Sequence, residues 1–336
     1  MYKLFNKNNF LRVFLQGALS ALAVAGMLAV ASGHAQTYPT KPIRLIVPNA
    51  PGGGTDTVAR LIGEKVSPAL GQQIVPDNRG GAGGAIAAEM AARSPKDGYT
   101  LLLGSAATLI TGPALVTNRK YDPVKDFAPV SLVGTTAYML VAHPSLPVRT
   151  VDDLIRLAKA SSAPLTYSST GQGGPAHLGM ELLQAMAKVT MLHVPYKGGS
   201  PAMMSLLQGE TYLMIANFLT ALPQVREKRV RALGVTSLQR STLAPDLPTV
   251  REFGLNGFEL EQFYSVVAPA GTPTEILNRL NREILERLNT PEVRQRLAHE
   301  GIELHTSTPA ELGKLNAGQF AKWLKVIQQA GIQRGG

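Results

Sequence analysis

One glycine-rich stretch, residues 49–57, has the residue types and the position of an anion-binding loop. It follows the apolar, β-branched run 43–47, which is typical of a buried strand, and it precedes apolar residues spaced along one helix face from 58 to 70. Backbone N–H groups and the positive helix end would then face one spot, where glycines let a ligand approach. Asp56 would cap the helix or tie the loop to its own amides. A plain strand-to-helix turn, with glycines serving only its geometry, fits the stretch equally well.

Two known phosphate loops do not match this stretch. A Walker loop needs a lysine directly after its last glycine, and no lysine follows here. The dinucleotide fingerprint needs a third glycine at the position that Thr57 occupies. The stretch therefore indicates a small anion such as a carboxylate, and not a nucleotide.

Motifs for covalent or metal chemistry are missing from the sequence. There is no Gly-x-Ser-x-Gly elbow, and His299 and His305 have the wrong spacing for a His-Glu-x-x-His site. His143, His177 and His193 stand singly, which favours hydrogen-bonded structural roles. His177 is the exception, because it lies at the start of a helix that follows a second glycine loop, at residues 168–175. With no cysteine and no evident carboxylate pair, the sequence predicts a binding protein that is not an enzyme and has no cofactor and no metal.

Strand and helix signals alternate along the first third of the chain. After the first helix come a short strand at 74–75, a glycine loop at 78–84, an alanine-rich helix at 85–93 and a strand at 99–104. This order predicts a parallel, doubly wound sheet with ligands beyond the carboxyl ends of its strands. A second unit of strand, glycine loop and helix follows at 165–186, and two such units facing each other would form an interdomain cleft.

Length and composition set the class of protein. The 336 residues suffice for two domains, and a hydrophobic content of 45% supports a buried core. The formal net charge is +10, but the basic residues are scattered and aromatic residues are few, which argues against nucleic-acid binding.

Residues 1–35 combine a basic start, a long apolar run and the small-residue site Gly33-His34-Ala35, as in a secretory signal peptide. An uncleaved anchor helix is the alternative; cleavage would place the protein outside the cytoplasm, in a bacterium in the periplasm.

Motifs spread over nearly the whole chain resemble one family, the periplasmic solute receptors of tripartite tricarboxylate transporters, often called Bug receptors. Each motif alone is unspecific, but their order is specific. The motifs are Pro51-Gly52-Gly53-Gly54-Thr55-Asp56 with Ala59-Arg60, Asn78-Arg79 with Gly81-Ala82-Gly83-Gly84, Pro95-Lys96-Asp97-Gly98-Tyr99-Thr100-Leu101-Leu102, Tyr121-Asp122-Pro123-Val124-Lys125-Asp126-Phe127, His193-Val194-Pro195-Tyr196-Lys197-Gly198 and Ala268-Pro269-Ala270-Gly271-Thr272-Pro273.

The resemblance implies a fold and a domain division. The fold would be α/β, similar to type II periplasmic binding proteins, with two doubly wound α/β domains around a ligand cleft. Domain 1 would comprise residues 36–135 and 263–336, and domain 2 would comprise residues 136–262. The chain would cross between the domains near Thr135-Thr136 and near Gln262-Phe263, and the hinges would lie there.

The resemblance also implies the site residues. Such receptors hold a solute carboxylate between two glycine loops, partly through bridging waters. Carried over by position, the site would consist of Gly52, Gly53, Gly54, Thr55 and Asp56 in the first loop, Ser169, Thr170, Gly171, Gly173 and Gly174 in the second, and Ala106, Ala107, Thr108, Tyr196, Asn217 and Phe263. The backbone amides of Gly53, Gly54, Gly171 and Gly173 are expected to donate to the carboxylate.

The implied function is capture of a small organic carboxylate by a monomeric receptor. The receptor would close on the solute and deliver it to two integral membrane transporter proteins, a large and a small subunit. Ala216 stands where many relatives have Asp, which favours a simple or aromatic carboxylate over an amino acid. Two alternatives stay open: an exported enzyme on the same fold that acts on a small anionic substrate, and a receptor that reports to a sensor protein.

Overall fold

The computed structural model describes residues 38–52 and 54–335. Gly53 and the signal peptide predicted at residues 1–35 lie outside the described residues. Within the part that is described, no helix is both long and apolar enough to cross a membrane.

The described residues contain a ten-stranded mixed sheet. The strands, in chain order, are β1 (Ile43–Val47), β2 (Ile74–Asn78), β3 (Thr100–Ser105), β4 (Phe127–Ala142), β5 (Leu165–Ser169), β6 (Met191–Pro195), β7 (Leu213–Asn217), β8 (Arg231–Val235), β9 (Glu261–Pro269) and β10 (Glu303–Leu304). Their order across the sheet is β2-β1-β3-β9-β4-β7-β5-β6, and β8 and β10 also pair with β4.

Helices connect most of these strands. They are α1 (Gly54–Leu70), α2 (Ala85–Ala92), α3 (Gly112–Ala114), α4 (Val151–Ala160), α5 (Pro175–Ala187), α6 (Gly199–Gln208), α7 (Phe218–Arg226), α8 (Thr274–Leu288), α9 (Pro291–His299) and α10 (Pro309–Gln329). Short 3-10 segments lie at Ala82–Gly84 and Val250–Phe253, and a π-helical segment at Ala107–Thr111 precedes α3.

The sheet has two parallel parts joined by two antiparallel strands. One part consists of β2, β1 and β3, and the other of β6, β5 and β7. β9 runs antiparallel to β3 and β4, and β4 pairs with β9 along its first part and with β7 and β8 along its last. The predicted parallel order is confirmed for the two parts. β4 and β9 run antiparallel because the chain crosses between the parts along them.

The two predicted crossing points lie side by side. Thr135 is paired with Phe263, and Thr136 with Gln262, in the ladder between β4 and β9. Two paired segments can bend together, so this arrangement is compatible with a hinge. The domain boundaries and the hinge stay predictions.

Capping side chains fix where several helices begin. The sequence predicts threonine capping boxes at Thr150 with Asp153 and at Thr308 with Glu311, and α4 and α10 each begin with one of them. The sequence also predicts a capping box at Thr272-Pro273-Thr274-Glu275; this prediction is wrong, because α8 begins at Thr274 with Pro273 as its N-cap and has no side-chain cap. The Thr272 hydroxyl instead donates to the carbonyl of Pro269 at 2.8 Å. It therefore binds the last residue of β9 and does not cap the helix.

Apolar helix faces hold the helices against the sheet. Val58 and Leu61 of α1 are fully buried, as is Leu45 of β1 beneath the first glycine loop. The helical spacing of Phe320, Trp323 and Ile327 predicts a docking face on the last helix, and all three are buried in α10. Burial of these faces supplies most of each helix's stability. Because the helices are held against the strands, both ends of each connecting loop have fixed positions.

Candidate functional site

The first glycine loop connects the carboxyl end of β1 to α1, and Asp56 holds it. Asp56 is only 4% exposed. Its carboxylate accepts hydrogen bonds from the Gly52 backbone N–H at 3.1 Å, from Arg60 Nε at 2.9 Å and from Asn78 Nδ2 at 3.1 Å. The hydrogen bond from Arg60 foremost holds the pKa of Asp56 below its usual range. Asp56 therefore binds the backbone amide of Gly52 in its own loop, which is one of its two predicted roles. It is not the N-cap, because α1 begins at Gly54.

Three loops meet at the carboxyl ends of β1, β2 and β3. Asn78 Nδ2 also donates to the carbonyl of Asn49 at 3.0 Å, which joins the end of β2 to the first loop. A Cβ placed on Gly84 would come within 2.3 Å of Thr108 Cγ2 and 3.0 Å of Pro48 Cβ, so only glycine permits this approach. The loops therefore converge at the edge of the sheet where a doubly wound fold binds ligands.

The turn after β3 is fixed by its own hydroxyl groups. The Ser105 N–H donates to Thr108 Oγ1 at 2.8 Å, and Thr108 Oγ1 donates to the Ser105 carbonyl at 3.1 Å. The Tyr121 hydroxyl donates to the Thr108 carbonyl at 2.5 Å. Of the three predicted site residues here, Ala106 and Thr108 are buried and Ala107 is partly exposed. Thr108 thus shapes the turn, and Ala107 is the residue of the three that a solute can reach.

A cavity of about 470 Å³ opens beside Ala107. Its lining includes the apolar side chain of Leu115 and the basic side chains of Arg119 and Lys120. Leu115 also lies against the second glycine loop, since a Cβ on Gly173 would come 3.0 Å from Leu115 Cδ1. The cavity therefore connects the turn after β3 with the neighbourhood of the second loop.

The second glycine loop connects β5 to α5, and side chains of the protein already accept from its amides. The Gly171 N–H donates to Ser169 Oγ at 3.1 Å, and the Gly173 N–H donates to His177 Nδ1 at 2.9 Å. Both glycines have positive φ, 130° and 74°, which side chains rarely allow. In the structure, therefore, the two amides that are expected to donate to the solute carboxylate donate to side chains of the protein.

His177 and His193 stand apart in the sequence, but they form one stack behind this loop. Their ring centroids lie 4.0 Å apart and the rings are nearly parallel. The ring of Tyr167 also stacks on His193, and its hydroxyl donates to Glu181 Oε1 at 2.7 Å. Burial lowers the pKa of both imidazoles, and that of His193 falls to about 4. The only sequence signal for this cluster was the position of His177 at the start of a helix behind a glycine loop.

The pair of Ser169 and His193 has the spacing of a nucleophile and its base. Ser169 Oγ lies 2.6 Å from His193 Nε2. However, Ser169 is completely buried, and the lowered pKa of His193 makes it a weak base at neutral pH. The pair therefore does not favour an enzyme. In residues 38–52 and 54–335, no cluster of three or more His, Asp or Glu side chains could hold a metal ion.

The three remaining predicted site residues have different surroundings. The Tyr196 hydroxyl donates to Ser205 Oγ at 2.6 Å and is thereby held against α6. Asn217 is exposed and caps α7, because its side chain accepts from the Leu219 N–H at 3.0 Å. Phe263 is 5% exposed and belongs to the main hydrophobic core. Of the three, Asn217 has the side chain most open to a solute.

Tyr264 is a neighbour of the first loop that the sequence reasoning missed. A Cβ placed on Gly54 would come 3.1 Å from the Tyr264 hydroxyl oxygen. Successive residues of a strand face opposite sides of the sheet. Because Phe263 and Tyr264 are successive residues of β9, their side chains face opposite sides of the sheet, and this alternation is the sequence signal for Tyr264.

Glu261 is a titratable group at the predicted crossing points. It lies on β9 opposite Ala137 of β4. Burial, together with the nearby Glu259 carboxylate, raises the pKa of Glu261 to about 7 from an ordinary value of 4.5. Between these two values the folded state binds more protons than the unfolded chain, so Glu261 makes stability fall as pH rises.

Replacing Glu261 with glutamine is expected to remove this pH dependence, because the amide stays neutral in both states. Relative to the variant, wild-type protein should lose about 2–3 kcal/mol of unfolding free energy between pH 5 and pH 8. Thermal or denaturant unfolding of both proteins at the two pH values measures the difference. Glu275→Gln, at an exposed position of α8, is the control and should follow the wild type. Equal pH slopes for wild type and Glu261→Gln would contradict the prediction.

Comparison with known proteins gives consistent matches over most of the chain. A family model described as "Tripartite tricarboxylate transporter family receptor" matches residues 58–332. Protein BugT of Bordetella pertussis is 37% identical over 93% of this chain and 95% of the relative. Rpa4515 of R. palustris, solved with adipate, is 36% identical with a TM-score of 0.71, covering 88% of this chain and 99% of that one. MatC (Rpa3494) from Rhodopseudomonas palustris, with bound malate, is 33% identical with a TM-score of 0.68, covering 86% of this chain and 100% of that one.

Proposed function

The chain belongs to the family of tripartite tricarboxylate transporter receptors, and we propose that it captures a small organic carboxylate in an interdomain cleft and delivers it to a membrane transporter. Receptors of this family are periplasmic solute-binding proteins, and the predicted periplasmic-binding-protein fold is confirmed. The proposal further includes export by the signal peptide at residues 1–35, delivery to a large and a small membrane subunit, and no enzymatic activity.

The observation that carries the proposal is the pair of glycine loops that each lead into a helix N-terminus. α1 has 17 residues and begins at Gly54 of the first loop, and α5 has 13 and begins at Pro175, directly after the second loop. The first N–H groups of a helix have no acceptor within the helix, and the helix dipole makes this end positive. A carboxylate supplies both the acceptor oxygens and the negative charge that such an end favours.

The hydrogen bonds inside the loops narrow the choice of donors. The amides of Gly171 and Gly173 donate to protein side chains. We therefore assign the first contacts of the carboxylate to the amides of Gly54 and Thr55 at the start of α1. On the second loop we assign a contact to the exposed hydroxyl of Thr170. The other predicted site residues remain part of the proposal as residues that surround the solute.

The solute class is supported by relatives and by the cavity. The structures of Rpa4515 and MatC hold adipate and malate, which are both dicarboxylates. In this chain the cavity beside Ala107 offers an apolar wall at Leu115 and positive charge at Arg119 and Lys120. Glu89 also lines the cavity, and its carboxylate is paired with Arg93 at 2.8 Å. These surroundings suit a carboxylate with an apolar body, whose second carboxylate would meet the two basic side chains.

A thermal-shift screen tests the proposal with mono-, di-, tri- and aromatic carboxylates. A solute that binds only the folded state stabilises it by about 2.7 kcal/mol at a hundredfold excess over Kd. We expect a rise in the unfolding temperature with one class of carboxylate and none with its amide analogue. No shift with any carboxylate, in protein shown to be free of carried-over solute, would refute carboxylate capture.

A further inference from the structure

Two imidazoles hold the second glycine loop from its buried side. His177 Nδ1 accepts directly from the Gly173 N–H at 2.9 Å. His193 Nε2 lies 2.6 Å from Ser169 Oγ, and the same oxygen accepts from the Gly171 N–H at 3.1 Å. Each positive-φ glycine of the loop is therefore tied to one imidazole, either directly or through a single hydroxyl.

We propose that neutral His177 and His193 are positioning residues for solute binding, and that protonation of His177 releases the loop and weakens binding. The inference rests on the proposed function, because it assigns these residues to the loop that receives the solute. It adds to that function an acid-sensitive control of solute affinity.

The chemistry of His177 explains why its neutral form is required. Nδ1 can accept from the Gly173 N–H only through its lone pair, so the ring proton must lie on Nε2. A proton added to Nδ1 would place two donors face to face at 2.9 Å. The hydrogen bond to Gly173 and the protonated imidazole therefore exclude each other, and acid must break the anchor of the loop.

The charged and titratable groups around His177 come from three elements. Glu181 of α5 has its Oε1 3.7 Å from His177 Nε2, and this carboxylate favours protonation. Tyr167 of β5 and Gln184 of α5 both donate to the same oxygen, which disperses its charge. His193 of β6 stacks on the ring, and a charge there would repel an imidazolium. Burial outweighs Glu181, so the pKa of His177 lies below the usual 6.5 and the release occurs at acidic pH.

The first experiment uses the solute-free protein, so that its result does not depend on which carboxylate binds. The backbone amide signal of Gly173 and the imidazole nitrogen signals of His177 are followed by NMR from pH 7.5 to pH 5. The inference expects the Gly173 signal to move with the titration of His177, and the protection factor of this amide, its exchange rate relative to that of an unstructured chain at the same pH, to fall at the acidic end. A Gly173 amide that stays protected while His177 takes up its proton would overturn the inference.

The second experiment measures adipate affinity by calorimetry at pH 7.5 and pH 5.5. His177→Ala removes the acceptor, and we expect about tenfold weaker binding at pH 7.5. His177→Asn is the conservative rescue, because its side-chain oxygen can replace Nδ1 without titrating. It should restore affinity at pH 7.5 and lose less affinity at pH 5.5 than the wild type. His143→Asn, at a histidine that contacts Ser145 and not the loop, should keep the wild-type pH profile.

The outcomes separate this inference from the proposed function. If the Gly173 amide follows His177 but adipate and the other carboxylates of the screen do not bind, the proposed function fails and the anchoring of the loop stands. If adipate binds and His177→Asn shows the same pH profile as wild type, carboxylate capture stands and the inference is overturned. Stronger binding of adipate at pH 5.5 than at pH 7.5 in the wild type would also overturn it.

Discussion

Replacing Asp56 with alanine is expected to destabilise the protein by about 3 kcal/mol and to weaken solute binding by more than tenfold. The buried carboxylate accepts from the Gly52 amide, from Arg60 and from Asn78. Its removal takes away the one buried acceptor that these three donors share, and hydrogen bonds to a charged group are worth about 1.5–3 kcal/mol each. The loop would also lose the tie that fixes the start of α1. Denaturant unfolding gives the loss of stability, and calorimetry with the carboxylate found in the screen gives the affinity.

Two control variants separate the parts of this effect. Arg60→Gln removes only the exposed partner of the ion pair, and exposed pairs contribute about 1 kcal/mol or less. Asp56→Asn keeps the shape and one acceptor oxygen, so its effect should fall between those of Arg60→Gln and Asp56→Ala. The explanation fails if Asp56→Ala binds the solute as tightly as the wild type. It also fails if Arg60→Gln is as damaging as Asp56→Ala.

Signals contained in a short run of sequence predicted their local structure well. The apolar run before the first loop and the helical spacing after it predicted β1, the loop and α1, because each depends on neighbours in the chain. The capping box at Thr150 succeeded for the same reason. The box at Thr272 failed because its hydroxyl is also within reach of the Pro269 carbonyl, and the end of β9 decides that competition.

Contacts between distant segments could not be read from the sequence. Nothing in the spacing of His177 and His193 shows that their rings lie 4.0 Å apart, because the contact depends on where β6 and α5 pack. The hydrogen bonds from Gly171 to Ser169 and from Gly173 to His177 likewise depend on this packing, and they decide whether the two amides are free to bind a solute. Sequence patterns can place glycines in a loop, but they cannot show which donors the protein has already used.

The parallel strands of the sheet could be predicted from the sequence, whereas the positions of the two antiparallel strands, β4 and β9, could not. Alternating strands and helices predicted the two parallel parts, since a parallel pair needs a crossover and the crossover helices are visible in the sequence. β4 and β9 reach their antiparallel places without such a signal, and their register sets the positions of Phe263 and Tyr264. The resemblance places Phe263 in the site; in the structure its side chain belongs to the main hydrophobic core, and the hydroxyl of the next residue, Tyr264, lies beside Gly54.

Replacing Gly84 with alanine is expected to disturb all three loops at the first helix N-terminus. Gly84 has φ of +90°, and a Cβ there would come within 2.3 Å of Thr108 Cγ2 and 3.0 Å of Pro48 Cβ. Left-handed backbone costs a non-glycine residue about 1–2 kcal/mol, and overpacking adds about 1–3 kcal/mol. Because Pro48 begins the first loop and Thr108 shapes the turn after β3, relief of the clash must shift one of them. We expect a loss of about 2–5 kcal/mol in denaturant unfolding, and solute binding weakened by more than tenfold in calorimetry.

Gly83 provides a matched control for this variant because it is the adjacent glycine. Its φ is +64°, and a Cβ placed on it would meet no atom within 4 Å. Gly83→Ala should therefore show the backbone cost alone in denaturant unfolding, about 1 kcal/mol. The difference between the two variants measures the packing of Gly84 against Pro48 and Thr108. Equal losses of stability would show that backbone conformation matters there and that the close approach of the three loops does not.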